Sequence, residues 1–436
     1  MTLERLKTIT LTVLVVLSLV LTYLLWTYEP NYEPLHNLET VEKVTLAAER
    51  PLSEVLKPIQ LFYHDGKEHW GTYNSQHLSP FYDLLLDARF VDFETYPLNN
   101  QLTRLVEENR SIEFVYADGV GMTVFHQLFD FSSARPVLSD VERIVLFEKR
   151  QGNRIKTFAW FVSQSRNSYI EAEVKNQTFQ EYEDVYEREK NNFMAVKRLN
   201  IGRDKMPLYF PVKEIQLSRL QAYPVPIPEL ELTSALFSDP NLVRESYREA
   251  NIRSYTDGNS ELKLYLLENY LSYINPTRRG DQKSDHAEES PFLQVHRFIN
   301  SHGGYTEPFT FMGMHQLPDN KTEVEFRLSL NGFPAFDARI AEMKVIWQEQ
   351  EVFEYVRSTE TISDSVIYKE PDRETLLTAE ELAFALKQAL NVDIKQIDNL
   401  TLGYTVSTYE DHLVFTPNWY MYYRGTWEPI LKESKG

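Results

Sequence analysis

The sequence predicts an α+β fold, with one N-terminal transmembrane helix followed by a three-domain extracytoplasmic region of antiparallel sheets with packed helices. Three observations predict it. An uncharged apolar stretch of about 20 residues stands near the N-terminus. Later segments alternate apolar and polar residues with a period of two, as half-buried strands do. Between them lie amphipathic segments that begin with helix-capping residues, which predicts helices and strands within the same domains.

The predicted transmembrane helix is the segment 8–28. It contains no charged residue, and at 1.5 Å per residue it matches the roughly 30 Å hydrocarbon core of a bilayer. Aromatic rings, which favour the headgroup region, stand at its far end: Tyr23, Trp26 and Tyr28. Arg5 and Lys7 precede the segment. The positive-inside rule therefore predicts a single-pass protein of the cell membrane, with a cytoplasmic stub, 1–7, and the bulk of the chain outside the cytoplasm.

The alternative for this segment is a cleaved signal peptide. A signal peptide has an apolar region of about 7–15 residues that ends at a small-x-small cleavage site. The segment here is longer and ends in Tyr23-Leu24-Leu25-Trp26, with no Ala-x-Ala pattern nearby. These features favour an uncleaved anchor.

Charge and cysteine content exclude several classes of function. The chain carries −19 in total; Glu4, Arg5 and Lys7 are the charged residues of 1–28 and sum to +1, so the remainder carries −20. This acidity argues against binding nucleic acid or anionic lipid through bulk charge. The chain has no cysteine, which excludes disulfides and thiolate metal sites. An exported protein without disulfides is typical of Gram-positive bacteria.

Changes in composition suggest where the domains begin and end. Residues 29–44 are predicted to be a semi-rigid stalk, because the prolines of the tandem repeat at 28–34 (Tyr-Glu-Pro-Asn-Tyr-Glu-Pro) hold the backbone extended. The breaks after the stalk are the segment 202–205 and the polar stretch 276–289. An N-terminal, a central and a C-terminal α+β domain are predicted in this order: 45–205, 206–289 and 290–436.

In the N-terminal domain, Ser79-Pro80 is predicted to start a helix, with serine as the N-cap and proline at the first helical position. A second helix is predicted after Asn100, and a third over the charged run 181–190. Strands are predicted where β-branched and aromatic residues cluster: 112–117, 121–126, 142–148 and 155–163.

Turn signals and capping motifs mark the two later domains. Asp257-Gly258 predicts a hairpin in the central domain, and Asn331-Gly332 predicts one in the C-terminal domain. Ser290-Pro291 and the capping box Thr378–Glu381 each predict a helix start. A closing hairpin is predicted to turn at Glu410-Asp411.

The sequence contains no Gly-x-Ser-x-Gly elbow, Walker loop or His-Glu-x-x-His motif. We therefore predict no catalytic, cofactor-binding or metal-binding residues. His64 and His69 are five residues apart, a spacing that does not place two imidazoles on one helical face, and we interpret them as part of a polar turn. Asp118-Gly119 is interpreted as a turn that links two strands.

An aromatic cluster near the C-terminus could stack on sugar rings: Trp419, Tyr420, Tyr422, Tyr423 and Trp427. We interpret it instead as the two faces of a terminal strand pair, one of which packs on the core.

The transmembrane segment offers a candidate functional surface. At 100° per residue, small or weakly polar residues fall within an arc of roughly 120°: Thr8, Thr12, Val15, Ser18 and Thr22. Such residues let helices approach closely and form hydrogen bonds across the contact, which predicts a partner-packing face. The alternative is that the hydroxyls bond back to their own helix.

Four stretches of the sequence have the form of a family signature, and none of them is catalytic: Tyr255–Asn259, Ser272–Pro276, Phe326–Pro334 and Pro417–Tyr420. In these stretches, and more weakly along its whole length, the chain resembles the YycH family of Gram-positive bacteria. The resemblance implies three α+β domains, the later ones related to the ectodomain of a similarly anchored partner, YycI.

The resemblance also implies a function. YycH proteins are non-enzymatic accessory regulators of an essential sensor histidine kinase, YycG or WalK, which controls cell-wall metabolism, and they act with YycI in a membrane complex. The family's transmembrane helices are implicated in contacting the kinase. The implied partners are therefore a kinase of this type, a YycI-like protein and, through 8–28, the lipid bilayer; no cofactor and no nucleic acid are implied.

Two hypotheses for function follow. The first is a regulator that biases a kinase between two states. The alternative is a cell-envelope glycan-binding module or envelope enzyme that the anchor only tethers. The lack of a catalytic constellation, together with the resemblance, favours the first.

Overall fold

The computed structural model describes the chain in ranges separated by gaps: 3–27, 44–132, 134–199, 206–237, 239–275, 290–348, 351–363, 368–388 and 393–430. The chain divides into two compact units, Met1–Lys43 and Val44–Gly436. The first contains helix α1, Leu3–Thr27. In the described residues, no helix is both long enough and apolar enough to span a bilayer. The polar stretch 276–289 and all of the predicted stalk except residue 44 lie outside the described residues.

The helices of the second unit are short and lie between strands. In the described residues they are α2 Leu52–Val55, α3 Ser75–Leu86, α4 Gln101–Glu108, α5 Met122–Phe125, α6 Phe179–Glu189, α7 Glu229–Leu236, α8 Pro291–Ser301 and α9 Ala379–Gln388.

Nine described strands form the first sheet, here called the N-terminal sheet: β1 Gln60–Asp65, β2 Glu68–Thr72, β3 Phe90–Pro97, β4 Arg110–Val120, β5 Val141–Gln151, β6 Arg154–Ser163, β7 Ser168–Val174, β8 Met194–Leu199 and β9 Leu208–Pro211. Their spatial order is β3-β7-β6-β5-β4-β1-β2-β8-β9. Neighbouring strands are antiparallel throughout this described sheet.

Helices cover both faces of the N-terminal sheet. Successive side chains of a strand point to opposite faces. On β5, Ile144 and Leu146 join the main core together with residues of α3 and α6. Val145 and Phe147 join a second cluster with residues of α4. The middle of this sheet is therefore buried on both sides.

The remaining described strands are β10 Ile215–Ala222, β11 Pro224–Pro226, β12 Arg244–Arg248, β13 Ile252–Thr256, β14 Glu261–Tyr265, β15 Tyr270–Ile274, β16 Phe309–Leu317, β17 Lys321–Leu330, β18 Phe333–Phe336, β19 Glu342–Gln348, β20 Glu351–Ser358, β21 Glu360–Ile362, β22 Tyr368–Leu376, β23 Ile397–Thr408, β24 Leu413–Tyr423 and β25 Thr426–Pro429. Among the described residues, β11 pairs with β21 and the other fourteen strands form a second sheet, here called the C-terminal sheet.

The C-terminal sheet joins strands that are far apart in sequence. β15 pairs with β20, and β10 pairs with both β22 and β24, so segments from 206–289 and from 290–436 share one sheet. Between named strands of the described residues, the parallel pairing is that of β18 with β23. Mixed helices and mostly antiparallel sheets confirm the predicted α+β class. The predicted boundaries between domains stay predictions.

Most of the predicted helix starts and turns are confirmed. α8 begins at Pro291 with Ser290 as its N-cap. Thr378 and Glu381 exchange the hydrogen bonds of a capping box before α9, with Thr378 N donating to Glu381 Oε2 at 2.9 Å. The turn at Asp257-Gly258 joins β13 to β14, and β23 and β24 form the closing hairpin.

The helix predicted to start at Ser79-Pro80 begins earlier. The N-cap of α3 is Asn74, whose side-chain oxygen accepts a hydrogen bond from Gln76 N at 2.8 Å. Pro80 lies inside the helix, where it removes one backbone hydrogen bond. Packing offsets this loss, because Leu78 and Phe81 on either side of the proline are fully buried.

The predicted strand 121–126 is wrong. Met122–Phe125 forms the single helical turn α5. Val124 and Phe125 have strand-forming side chains, but both are completely buried in the main core. Tertiary packing overrides local preference here.

The Asn331-Gly332 turn between β17 and β18 provides a test of the fold. Its backbone has φ of +49° at Asn331 and +83° at Gly332, as a type I′ turn requires. A Cβ at Gly332 would overlap the Asn74 Oδ1 that caps α3. We expect Gly332→Ala to lower the free energy of unfolding by about 2–3 kcal/mol, through strained backbone and the loss of this cap.

Urea unfolding followed by fluorescence measures the effect. The matched control is Gly152→Ala in the β5–β6 hairpin, where φ is +64° and nothing lies within 4 Å of the added Cβ. That variant has the backbone cost alone, roughly 1 kcal/mol. Equal losses in the two variants would show that the contact with Asn74 contributes nothing.

Candidate functional site

The predicted packing face lies on α1. Its described side chains are all exposed: Thr12, Val15, Ser18 and Thr22. The side chain of Thr8 lies outside the described residues. The Thr22 hydroxyl donates a hydrogen bond to the Ser18 carbonyl at 2.9 Å, which is the bonding to its own helix that the alternative expects. The face can therefore offer close approach without leaving the Thr22 hydroxyl unsatisfied, and its role stays a prediction.

A polar junction joins the two sheets within the second unit. It is formed by Gln60 and Asp118 from the N-terminal sheet and by Asn399 and Tyr422 from the C-terminal sheet. The pairing of β4 with β5 shifts register between Val115 and Val120. Such a bulge leaves backbone groups without ladder partners, and these groups face the junction.

Asn399 satisfies the freed carbonyls. Its buried amide donates to Tyr116 O at 2.8 Å and to Ala117 O at 3.2 Å. Its own Oδ1 accepts a hydrogen bond from Gln60 Nε2 at 2.9 Å. Buried backbone carbonyls are costly when unpaired, so this side chain fixes how the two sheets meet.

Asp118 lies in the bulge of β4, and not in the strand-linking turn that was predicted. Its Oδ2 accepts hydrogen bonds from Met314 N at 2.9 Å and from the Tyr422 hydroxyl at 3.0 Å. Burial raises the pKa of Asp118, while the hydrogen bonds from Met314 and Gly119 oppose that rise. One carboxylate thus connects β4 to β16 and β24.

A cavity of about 420 Å³ opens beside Asp118, with Glu142, Gln164 and Asp398 in its wall. Glu142 Oε2 accepts a hydrogen bond from Gln164 N at 3.0 Å. Burial, with smaller contributions from Asp140 and Asp118, raises the pKa of Glu142 to about 8. The carboxyl is therefore protonated at neutral pH in the folded chain.

The raised pKa of Glu142 makes stability depend on pH. Because the folded state holds a proton that the unfolded state releases above about pH 4.5, this group favours folding at low pH and loses that contribution as pH rises through about 8. Glutamine mimics the protonated form. We expect Glu142→Gln to be nearly neutral at pH 5 and to raise the urea midpoint relative to the native chain at pH 8.5. An identical difference at both pH values would contradict the assignment.

A second polar cluster is buried inside the N-terminal sheet. His64 and Glu113 are fully buried, and Arg143 is 3% exposed. His64 Nε2 lies 3.1 Å from Glu113 Oε2, and the Arg143 guanidinium pairs with Glu113 Oε1. Arg143 Nη2 also donates to Pro207 O at 2.7 Å. Burial would raise the pKa of Glu113, but Arg143 and His64 outweigh it and hold the pKa at about 2.

The polar turn predicted for His64 and His69 is therefore wrong. The two residues face each other across the β1–β2 hairpin, and their Nδ1 atoms lie 2.9 Å apart. Because Glu113 accepts the proton of His64 Nε2, His64 Nδ1 is free to accept a hydrogen bond from His69. Burial, and then His64, lower the pKa of His69 to about 4. The signal missed in the sequence is a charged residue directly before an apolar run in each of two strands: Glu113 before Phe114 in β4 and Arg143 before Ile144 in β5.

Three of the five aromatic residues in the cluster of the closing hairpin belong to the interior, and Tyr423 and Trp427 are partly buried. Trp419, Tyr420 and Tyr422 are 1%, 0% and 6% exposed. Trp427 Nε1 donates to Met312 O at 2.8 Å. The interpretation that one face of this strand pair packs on the core is confirmed, and the three buried rings leave no face for a sugar.

Two family profiles match the chain. The profile described as "YycH protein, N-terminal domain" matches residues 4–192, and "YycH protein, C-terminal domain" matches residues 205–435. The chain is 23% identical over 452 residues to the "Two-component system WalR/WalK regulatory protein YycH" of Bacillus subtilis (strain 168), covering 99% of this chain and 97% of that protein.

A solved structure has the same fold. The crystal structure of YycH from Bacillus subtilis superposes with a TM-score of 0.72 at 17% identity, covering 89% of this chain and all of that one. The profile matches on both halves of the sequence and this shared fold support the resemblance seen in the motifs. The chain belongs to the YycH family.

Proposed function

We propose that this chain is a membrane-anchored regulator of an essential sensor histidine kinase that controls cell-wall metabolism. The observation that carries the proposal is similarity along 99% of the chain to a protein named as a regulator of the WalR/WalK two-component system. The proposed partners are a WalK-like kinase and a YycI-like membrane protein.

The N-terminal segment supports a role at the membrane. Residues 8–28 are uncharged and follow Arg5 and Lys7, so the proposed orientation has 1–7 in the cytoplasm and Val44–Gly436 outside. A regulator shifts a kinase between two states only by the difference in its affinity for them. The small side chains of Thr12, Val15 and Ser18 would let a kinase helix approach closely enough to sense such a difference.

The second unit supports a scaffolding role. The polar junction and a continuous main core hold the two sheets together. A scaffold of this kind can hold bound partners in a fixed arrangement. The absence of a sequence motif for catalysis agrees with regulation by contact, and we propose no enzymatic activity.

Co-purification from membranes tests the proposal. The full-length chain with a C-terminal affinity tag is extracted in mild detergent, and its partners are identified by mass spectrometry. We expect the kinase and the YycI-like protein in stoichiometric amounts. The control is the same chain with residues 8–28 replaced by an unrelated leucine-rich segment of equal length, which we expect to lose the kinase. Recovery of neither partner with the native chain would refute the proposal.

A further inference from the structure

The hairpin of β16 and β17 brings together three side chains with metal-binding groups. His315 and Glu323 are direct partners in the antiparallel register, and Glu325 is two residues further along β17. Residues i and i+2 of a strand share a face. One ligand atom from each of the three lies within 4.8 Å of those from the other two. His315 is separated from Glu323 and Glu325 by eight or more positions in the sequence. Only the strand register of the hairpin shows that the three side chains lie together.

The imidazole of His315 is held in place by the polar junction. The Tyr422 hydroxyl donates to Asp118 Oδ2 at 3.0 Å and lies 3.4 Å from His315 Nδ1. Because the Tyr422 hydroxyl donates its hydrogen bond to Asp118, the hydroxyl oxygen acts as an acceptor towards His315. The Nδ1–H of His315 therefore donates a hydrogen bond to this oxygen. This leaves Nε2 as the unprotonated nitrogen. Metal-binding histidines are commonly oriented in this way through their second nitrogen.

The backbone leaves room for this ring. A Cβ at Gly313 would lie 3.0 Å from His315 Nε2, so the nitrogen sits close above the backbone of β16. Gly313 is the residue opposite Glu325, next to a register shift after Phe311. Bulges of this kind re-aim side chains and are frequent beside functional sites. Nε2 and the Glu325 carboxylate are therefore neighbours.

The carboxylates keep oxygens available. Arg327 binds Oε1 of Glu325 and also Oε1 of Glu342, and Lys344 pairs with Glu342 at 2.9 Å. Oε2 of Glu325 remains for another cation. Within the described part of the chain, no lysine or arginine forms an ion pair with Glu323. Lys344 stands opposite Glu325 in the register of β17 with β19 and is attracted to both Glu325 and Glu323. A dication at the site would therefore take the place of Lys344 beside these carboxylates.

We propose that His315, Glu323 and Glu325 form a site for a divalent transition metal of the Zn²⁺ type. One imidazole and two carboxylates form a ligand set that Zn²⁺ accepts, with water completing the coordination. Ligand atoms at about 2.0–2.2 Å from a metal lie roughly 3–3.5 Å from each other. Side-chain rotations that move the carboxylate oxygens by about 1 Å would bring the three ligand atoms to this spacing. The proposal goes beyond the proposed function and does not depend on it.

The location gives the site a structural consequence. His315 lies on the C-terminal sheet. The Tyr422 hydroxyl links it by hydrogen bonds to Asp118 on the N-terminal sheet. A bound ion would fix the imidazole and so strengthen this connection. We expect metal binding to raise the unfolding midpoint of the second unit, because a ligand that binds only the folded state stabilises it.

Zn²⁺ titration of the full-length chain in detergent, after treatment with a chelator, tests the proposal. Competition with a chromophoric chelator gives affinity and stoichiometry, and visible absorption of bound Co²⁺ reports the ligand field. We expect one ion per chain. His315→Gln and Glu323→Gln should each weaken binding at least tenfold, and Tyr422→Phe by roughly 10–100-fold because it removes the orienting hydroxyl.

Two histidine variants outside the site serve as controls. His412→Gln changes a partly buried histidine that pairs with Asp411, and His69→Gln changes the histidine that contacts His64. Both variants should bind Zn²⁺ like the native chain. Thermal unfolding without metal shows that each variant is folded. The proposal is overturned if the native chain shows no saturable binding, if a folded His315→Gln variant binds equally well, or if binding is lost in His69→Gln instead.

Discussion

Replacing Glu113 with alanine is expected to lower the free energy of unfolding by about 3–5 kcal/mol. The variant leaves the Arg143 guanidinium buried without its carboxylate and His64 Nε2 without its acceptor. Removing one partner of a buried ion pair costs this much because the remaining charge has lost its solvation and its counter-charge. Urea unfolding of the full chain at pH 7 measures the loss.

An exposed ion pair in the same domain provides the control. Glu108 pairs with Arg104 at 2.9 Å, and both side chains are more than half exposed. Glu108→Ala should change stability by less than about 0.5 kcal/mol. A Glu113→Ala variant that unfolds at the same urea concentration as Glu108→Ala would show that the buried cluster does not hold the N-terminal sheet together.

The pH profile gives a second measurement of the same cluster. The pKa of Glu113 is lowered to about 2 in the folded chain, so its contribution is present above its unfolded value of about 4.5 and is lost as pH falls towards 2. We expect the native chain to lose stability over this range more steeply than Glu113→Ala. Parallel profiles would contradict this.

Replacing Trp419 with alanine is expected to cost about 3–5 kcal/mol as well. The indole is 1% exposed and packs edge-on against Tyr73, with ring centres 5.2 Å apart, and against Phe210. Its Nε1 donates to Leu377 O at 3.1 Å. Tyr73 and Phe210 belong to the half of the unit built on the N-terminal sheet, so this residue packs the two halves together. Truncation leaves a large cavity and an unpaired carbonyl.

This variant also separates the two hypotheses for the aromatic cluster. The control variant Tyr409→Ala removes a ring from the end of the same hairpin. Tyr409 is 55% exposed, so its loss should lower the free energy of unfolding by less than about 1 kcal/mol. Thermal unfolding and sedimentation with purified cell wall are measured for both variants. Native stability of Trp419→Ala combined with loss of cell-wall binding would favour a glycan-binding module over the structural role.

Local signals predicted the parts of the fold that depend on near neighbours. The capping box at Thr378, the turn at Asn331-Gly332 and the helix start at Ser290-Pro291 are each determined within a few residues, and the structure confirms them. The start of α3 was misplaced because Asn74 and Ser79 are both good capping residues. What decides between them is the burial of Leu78 and Phe81, which no local pattern contains.

The polar clusters could not be predicted because strand register assembles them. Glu113 meets Arg143 and His64 across three strands, and Asp118 meets Tyr422 across 304 residues of sequence. A buried charge in an apolar strand signals that a partner exists, but it does not identify the partner. The packing face of α1 is different, since a helical wheel follows from sequence alone; its function depends on a partner outside the chain.

Kinase output in living cells tests the central claim most directly. Transcription from a promoter controlled by the kinase is compared between native cells, cells lacking this protein and cells carrying variants of α1. Ser18→Leu places a larger side chain on the predicted packing face. We expect cells that express this variant at the native level to show the same kinase output as cells that lack the protein. Val13→Leu adds bulk on nearly the opposite side of the helix and should leave output native. Native output from the chain whose residues 8–28 are replaced by an unrelated leucine-rich anchor would contradict regulation through this helix.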